Sequence, residues 1–340
     1  MRLLTALLLP LVAASAAPSS PLQVASLGDL KLESGETIRD CRIGYRTVGT
    51  LNAAKSNAVL FPTWFTGSSQ DLIQFMAADG MVDPARYFGI AVDALGDGVS
   101  SSPSNSKEQP RMQFPKFTIR DMVNAEYKVV HDVLGIPHLH AVMGISMGGM
   151  QTFEWVVEYP GFMDKAVPIV GSPRLTSIDL LLWNAEAEGI IESAGWNDGN
   201  YHQPPALASV GGIHEFALAT PAYRARETSR SQFPAFLQQI EEKPLGRMDA
   251  NDWLRQLQAM ISLDVAKPYG ESLARAAHTV KAKMLVVSAL QDHMVNPGPA
   301  LEFAHEIGAP AIRLESDCGH LAPGCESKTL YPRVRAFLDQ

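Results

Sequence analysis

Ser146 stands in Val142-Met143-Gly144-Ile145-Ser146-Met147-Gly148-Gly149-Met150, with a glycine two residues away on each side. An apolar run precedes it and a segment with helical spacing follows. A serine held on a sharp strand-to-helix turn is a nucleophile elbow, the device that presents a hydroxyl for acyl-transfer chemistry. Such a turn strains its central residue and requires small neighbours, which Gly144 and Gly148 supply. The competing reading is a serine that merely caps the helix it begins. Context favours the elbow, because residues 139–143 read as a short buried strand and Met150, Phe153 and Val157 recur at helical spacing before Pro160.

A serine hydroxyl is a weak nucleophile and needs a base, which in turn needs a group to orient it. Around an elbow of this kind the acid follows a late strand and the histidine follows the last one, so the chain order is Ser, Asp, His. Residues 283–289 read as such a late strand, with Asp292 just beyond it. Residues 311–315 read as the last strand, and His320 lies in the next loop, where Gly319 lets the chain turn inward. The other histidines are worse placed. His131 and His305 fall in helical patterns, His138 and His140 open the elbow strand, and His202, His214 and His278 fall in or beside a stretch without strands. His293 adjoins Asp292 too closely to be oriented by it. Asp317 rivals Asp292 as the acid, but its closeness to His320 suits a loop cap better. The developing oxyanion needs two preorganised donors. Met147 at the helix start offers one backbone N–H, and Phe65 in loop 63–69 the other, with Trp64 as its alternative.

These groups can meet only at one edge of an α/β sheet. Apolar runs at 58–62, 87–94, 139–143, 166–170, 283–289 and 311–315, separated by helical or loop segments, predict a mainly parallel sheet with helices on both faces. Ligands gather at the C-terminal edge of such sheets. Residues 27–51 alternate polar and apolar and contain Gly35 and Gly44, which predicts an antiparallel hairpin at the sheet edge. Strands vanish between residues 171 and 279. The spacing predicts a helical lid, 174–278, inserted between core segments 17–173 and 279–340, with helices over 178–191, 233–242 and 251–261. Residues 196–205 are rich in Asn, Gly and Pro and read as loop. Leu180, Leu181, Leu182, Trp183, Trp253, Leu254 and Leu257 suit a pocket wall or plain helix packing equally well.

A chain of 340 residues, 46% of them hydrophobic, can bury a large core. Its net charge of −8 and lack of a basic block argue against nucleic acid or an anionic membrane surface as partner. Residues 1–16 combine Met1-Arg2, an apolar run to Val12, and Ala14-Ser15-Ala16, the pattern of a secretory signal peptide cleaved after Ala16. No cysteine at the cut offers a lipid anchor, and no later stretch is long enough for a membrane span. Export to a periplasm or to the medium brings oxidising conditions, in which Cys318 and Cys325 are expected to pair and leave Cys41 odd. Closing so short a loop restricts the unfolded chain by roughly 2–3 kcal/mol in the entropy model. The loop has no Cys-x-x-Cys spacing, so no metal site is expected there.

The chain resembles the homoserine O-acetyltransferase group of the α/β-hydrolase superfamily over nearly all of its mature length. The likeness is carried by Ile43-Gly44-Tyr45-Arg46-Thr47-Val48-Gly49-Thr50-Leu51-Asn52, Thr66-Gly67-Ser68-Ser69, Phe114-Pro115, Thr118-Ile119-Arg120-Asp121-Met122-Val123 and Ser146-Met147-Gly148-Gly149-Met150-Gln151, followed by Glu154-Trp155. Asp249-Ala250-Asn251-Asp252 is a weaker match. The resemblance implies an α/β-hydrolase fold with a helical lid, a lid that often builds a homodimer, and the same triad. It also implies an aspartate after the catalytic histidine and a lid arginine, which together grip the amino-acid acceptor. Here Leu321 and Glu188 are expected at those positions. A zwitterion would lie there with its charges unpaired, at a cost of several kcal/mol, so homoserine is a poor acceptor. The expected activity is therefore hydrolysis of a small-molecule ester by an exported serine hydrolase that needs no cofactor. The alternatives are an acyltransferase with a different acceptor and a non-catalytic binding protein on the same fold.

Overall fold

An unbroken apolar run hides both of its faces only inside a sheet that is covered on both sides. Residues 58–62 do this in the computed structural model, which describes residues 20–340. The expected signal peptide, residues 1–16, lies outside the described residues. Strand β3 (Ala58–Pro62) is buried throughout, with Ala58 and Leu60 in the core on one side of the sheet and Val59 and Phe61 in the core on the other.

Two edge strands precede it, β1 (Gln23–Lys31) and β2 (Thr37–Val48), paired antiparallel. After β3 come β4 (Phe88–Val92), β5 (Leu139–Ile145), β6 (Met163–Ile169), β7 (Lys283–Met284), β8 (Val286–Ala289) and β9 (Ala311–Leu314). The sheet order is β1-β2-β4-β3-β5-β6-β8-β9, with β7 also on β6. β2 runs antiparallel to β4, and every pairing from β3 onward is parallel. The single strand expected over 283–289 is broken at Leu285, whose N–H still bonds Ala166 O at 3.0 Å, so the path continues. The hairpin expected over 27–51 starts earlier, at Gln23. Gly44 lies within β2 rather than at a turn, and a Cβ there would stand 2.7 Å from Asp93 Oδ2.

Between β6 and β7 the chain is helical, in Ser177–Ile191, Ala208–Leu218, Pro221–Glu227, Phe233–Glu242, Ala250–Ile261 and Leu273–Ala277. The helix Ala250–Ile261 docks this insertion against the loop that follows β4 through polar contacts made in the interior. Asp252 Oδ1 accepts from Ser104 N at 2.9 Å, Arg255 Nε donates to Phe114 O at 3.0 Å, and Gln256 Nε2 donates to Leu95 O at 3.0 Å. Burial pushes the Asp252 carboxyl up to about 7. Leu254 and Leu257 belong to the core, whereas Leu181 is exposed. Among the described residues no helix is long and apolar enough to cross a membrane.

Cys318 and Cys325 are joined by a disulfide with their Cα atoms 6.6 Å apart. Cys41 is buried in β2, and burial pushes its thiol up to about 12, which makes it a poor nucleophile.

Candidate active site

Four parallel strands end at one rim, and each is followed by a loop that carries one of the expected site residues. Ser146 follows β5 at the start of the helix Met147–Glu158. Its φ of 58° and ψ of −120° lie in territory that costs a non-glycine residue roughly 1–3 kcal/mol. The surroundings hold it there. Ser146 N donates to Ile169 O at 2.8 Å, and Ser146 O accepts from Met150 N at 2.9 Å. The flanking glycines are required by close approach: a Cβ on Gly144 would meet Gly148 O at 2.2 Å, and one on Gly148 would meet Pro62 O at 2.6 Å. Although Ser146 occupies the N-cap position, its side chain makes no cap hydrogen bond. Its Oγ lies 2.8 Å from His320 Nε2 instead.

His320 follows β9. Gly319, at φ 64°, turns the loop so that the imidazole points inward, and the His320 side chain is only 7% exposed. Its Nδ1–H donates to Asp292 Oδ2 at 2.7 Å. Asp292 follows β8, its side chain is 1% exposed, and its Oδ1 accepts from the backbone N–H groups of Met294 and Val295 at 2.8 and 2.9 Å. Those two amides lock the carboxylate plane, so the remaining oxygen has one direction to face. The three side chains form a continuous hydroxyl–imidazole–carboxylate line, the arrangement that lets imidazole draw a proton from serine.

The loop after β3 carries Phe65. Among the described residues, neither its backbone N–H nor that of Met147 is taken by a turn, loop or side-chain acceptor. Two contacts hold this loop in place: Gln151 Nε2 of the elbow helix donates to Thr63 O at 3.0 Å, and Asp93, just after β4, accepts from both the N–H and the hydroxyl of Ser69. Asp93 and its neighbour Asp97 were not singled out from the sequence, since two acids in a polar loop carry no motif. Burial raises both carboxyls above the usual range, and the charge of Asp93 lifts Asp97 further.

A cavity of about 440 Å³ opens over Ser146 and His320. Its wall is mostly apolar, with Trp64, Phe75, Trp183, Leu218, Leu321 and Tyr331. Trp183 thus lines the pocket, and Trp253 lines a second cavity beside it. Two expectations need correction. Glu188, expected where an acceptor-gripping arginine would stand, is exposed, and Glu186, two residues earlier, is the acid that faces inward. Asp317 does not cap its own loop; its carboxylate pairs with Arg226 of the helical insertion.

Residues 58–323 match the model of the alpha/beta hydrolase fold family. The chain is 33% identical over 332 residues to a probable esterase of Corynebacterium glutamicum, covering 92% of this chain and 93% of that one. It is 31% identical over 315 residues to an ethyl acetate hydrolase of Pseudomonas veronii, covering 88% and 89% of the two chains. A homoserine O-acetyltransferase of Geotalea daltonii is 33% identical over 350 residues, covering 91% and 95%. Among solved structures, an acetylester hydrolase from Corynebacterium glutamicum superposes with a TM-score of 0.87 at 30% identity, covering 94% of this chain and 96% of that one.

Proposed function

Because the chain belongs to the alpha/beta hydrolase family, in the group that holds both esterases and homoserine O-acetyltransferases, we propose that it is a serine esterase cleaving a short carboxylic ester through an acyl-enzyme on Ser146. One observation carries the reading: His320 contacts Ser146 Oγ at 2.8 Å and Asp292 Oδ2 at 2.7 Å at the same time. Ser146 Oγ attacks the ester carbonyl carbon as His320 Nε2 takes its proton. Asp292 keeps the imidazole in the correct tautomer and steadies the imidazolium that forms. The carbonyl oxygen becomes an oxyanion facing the amides of Phe65 and Met147. Its collapse breaks the bond to the alcohol, which leaves with the proton from His320. Water then attacks the acyl-enzyme, His320 again acts as base, and a carboxylic acid and free Ser146 result. These steps use only the named groups and water.

Hydrolysis is favoured over transfer to an amino acid by Leu321, an aliphatic side chain in the cavity wall at the position where the resemblance implies an acidic anchor. The relatives named as an esterase and an ethyl acetate hydrolase support the ester substrate. Export is supported by the signal-like residues 1–16 and by the Cys318–Cys325 bond, which belongs to oxidising compartments. A second reading, acyl transfer to another alcohol, is favoured by the equally similar homoserine O-acetyltransferase.

Product analysis separates the two. With 4-nitrophenyl acetate or ethyl acetate as donor, and with or without homoserine and simple alcohols, free acetate is expected to exceed any acylated acceptor. An acceptor-dependent product in excess of acetate would overturn hydrolysis in favour of transfer.

A further inference from the structure

His214 faces the active site from the helical insertion with Glu186 buried behind it, and neither takes part in the steps above. Glu186, in the helix Ser177–Ile191, has a side chain that is 0% exposed. It accepts from His214 Nδ1 at 3.2 Å and from Trp253 Nε1 at 3.3 Å, and among the described residues no lysine or arginine pairs with it. Aromatic rings surround the pair: Phe65, Trp253 and Trp183 lie with centroids 5.8, 5.0 and 6.4 Å from that of His214. Burying a carboxylate in such company costs several kcal/mol, and well-packed apolar residues there are often at least as stabilising. The expense is explained if the imidazole is held for a ligand.

The ring of His214 lines the catalytic cavity together with Ser146 and His320, and it also lines a neighbouring cavity of about 490 Å³. Thr66 and Leu218 border both cavities, so His214 stands at their junction. Its Nδ1 is engaged by Glu186, while Nε2 has no protein partner among the described residues. With Nδ1–H donated to the carboxylate, a neutral ring leaves Nε2 as a hydrogen-bond acceptor, the same polarity that His320 presents to the Ser146 hydroxyl. The side chains around it are mostly apolar.

We propose that His214, fixed by Glu186, accepts a hydrogen bond from a hydroxyl on the substrate, so that the preferred substrates are short esters bearing a free hydroxyl group. The inference rests on the esterase reading above and goes beyond it in naming the substrate class. An acceptor of this kind favours a hydroxyl over a methyl of the same size and gains nothing from an ether oxygen, which has no hydrogen to donate.

Isosteric pairs test it on each side of the ester. 2-Hydroxyethyl acetate is compared with propyl acetate for the alcohol side, and ethyl 3-hydroxypropanoate with ethyl butanoate for the acyl side. 2-Methoxyethyl acetate against butyl acetate is the ether control. In at least one hydroxyl pair the wild-type kcat/KM ratio should be about tenfold, the size of one hydrogen bond, with most of the difference in KM. His214→Phe should bring that ratio close to one, and Glu186→Gln, acting through the orientation of His214, should lower it. Reaction of each variant with a fluorophosphonate reports that Ser146 and the fold are intact. A wild-type ratio near one in both hydroxyl pairs, a ratio that survives His214→Phe, or an equal preference for the ether would overturn the proposal while leaving ester hydrolysis intact. Failure of the wild type to hydrolyse any ester would overturn the esterase reading itself, and this inference with it.

Discussion

Arg226, in the short helix Pro221–Glu227, makes a two-pronged ion pair with the carboxylate of Asp317, three residues before His320. Thr220 adds a second tie, donating its hydroxyl to Asp317 O at 2.5 Å. Together with the Cys318–Cys325 bond, these contacts anchor the imidazole-bearing loop both to the helical insertion and to itself. The insertion therefore roofs the cavity and also helps to aim the base.

Arg226→Ala should accordingly separate activity from stability. An exposed ion pair adds little to folding, so the melting temperature should change little. Loosening the His320 loop should lower kcat/KM by roughly three- to tenfold, since small misplacements of a reacting group carry large rate penalties. Steady-state kinetics beside a thermal melt check this, and an unchanged kcat/KM would contradict it.

Reduction tests the other anchor. A Cys318→Ser, Cys325→Ser double variant should lose more turnover than a similar loss of melting temperature elsewhere would produce, because the bond constrains the loop that holds His320. The entropic effect of so short a loop, roughly 2–3 kcal/mol, bounds the cost in stability. Non-reducing peptide mapping of wild-type protein produced under oxidising conditions should recover Cys318 joined to Cys325.

The elbow makes a sharper stability prediction. In Gly144→Ala the new Cβ would meet a backbone oxygen, Gly148 O, at 2.2 Å, and in Gly148→Ala it would meet Pro62 O at 2.6 Å. Neither oxygen belongs to a side chain that can swing away. Each variant should lose about 3 kcal/mol or more of stability, together with its esterase activity. Denaturant unfolding measures the loss, and wild-type stability in either variant would show that the turn can open.

Glu126 gives the protein a pH signature remote from the triad. Burial pushes its carboxyl up to about 8, with partial relief from the Trp155 indole N–H at 2.7 Å. The native state therefore holds a proton that the unfolded state releases near the ordinary glutamate value. Stability from this group is full at acidic pH and falls as pH rises towards 8. Glu126→Gln removes the titration, so variant stability relative to wild type should improve by up to about 4 kcal/mol between pH 5 and pH 8.5. Denaturant curves at the two pH values check the sign, and an unchanged difference would contradict it.

What could be read from the sequence follows from how locally each feature is encoded. β3 coincides with its expected range because a strand buried on both faces leaves an unbroken apolar run. β6 begins at Met163 rather than near residue 166, because the charged Asp164 and Lys165 interrupt the apolar run, although Met163 and Lys165 are buried. Ser146, Asp292 and His320 were legible as a motif and a chain order, and the structure brings them together. Glu186 and His214 were not. The helix Ser177–Ile191 carries apolar residues on all sides, so its spacing does not assign an inward face, and Glu188 stands out only through the family resemblance. His214 is one of several histidines in or beside a strandless stretch, and only the fold of the insertion brings it to the cavity over Ser146. Asp317 looked local because its partner, Arg226, is far away in the sequence.

The central claim is that Ser146 is the nucleophile, activated through His320 and Asp292. Intact-mass and peptide-mapping analysis after exposure to a fluorophosphonate tests it most directly. The account predicts a single adduct on Ser146 in protein that hydrolyses an ester, forming orders of magnitude more slowly in His320→Ala. An adduct on another residue, or full esterase activity in Ser146→Ala, would contradict it.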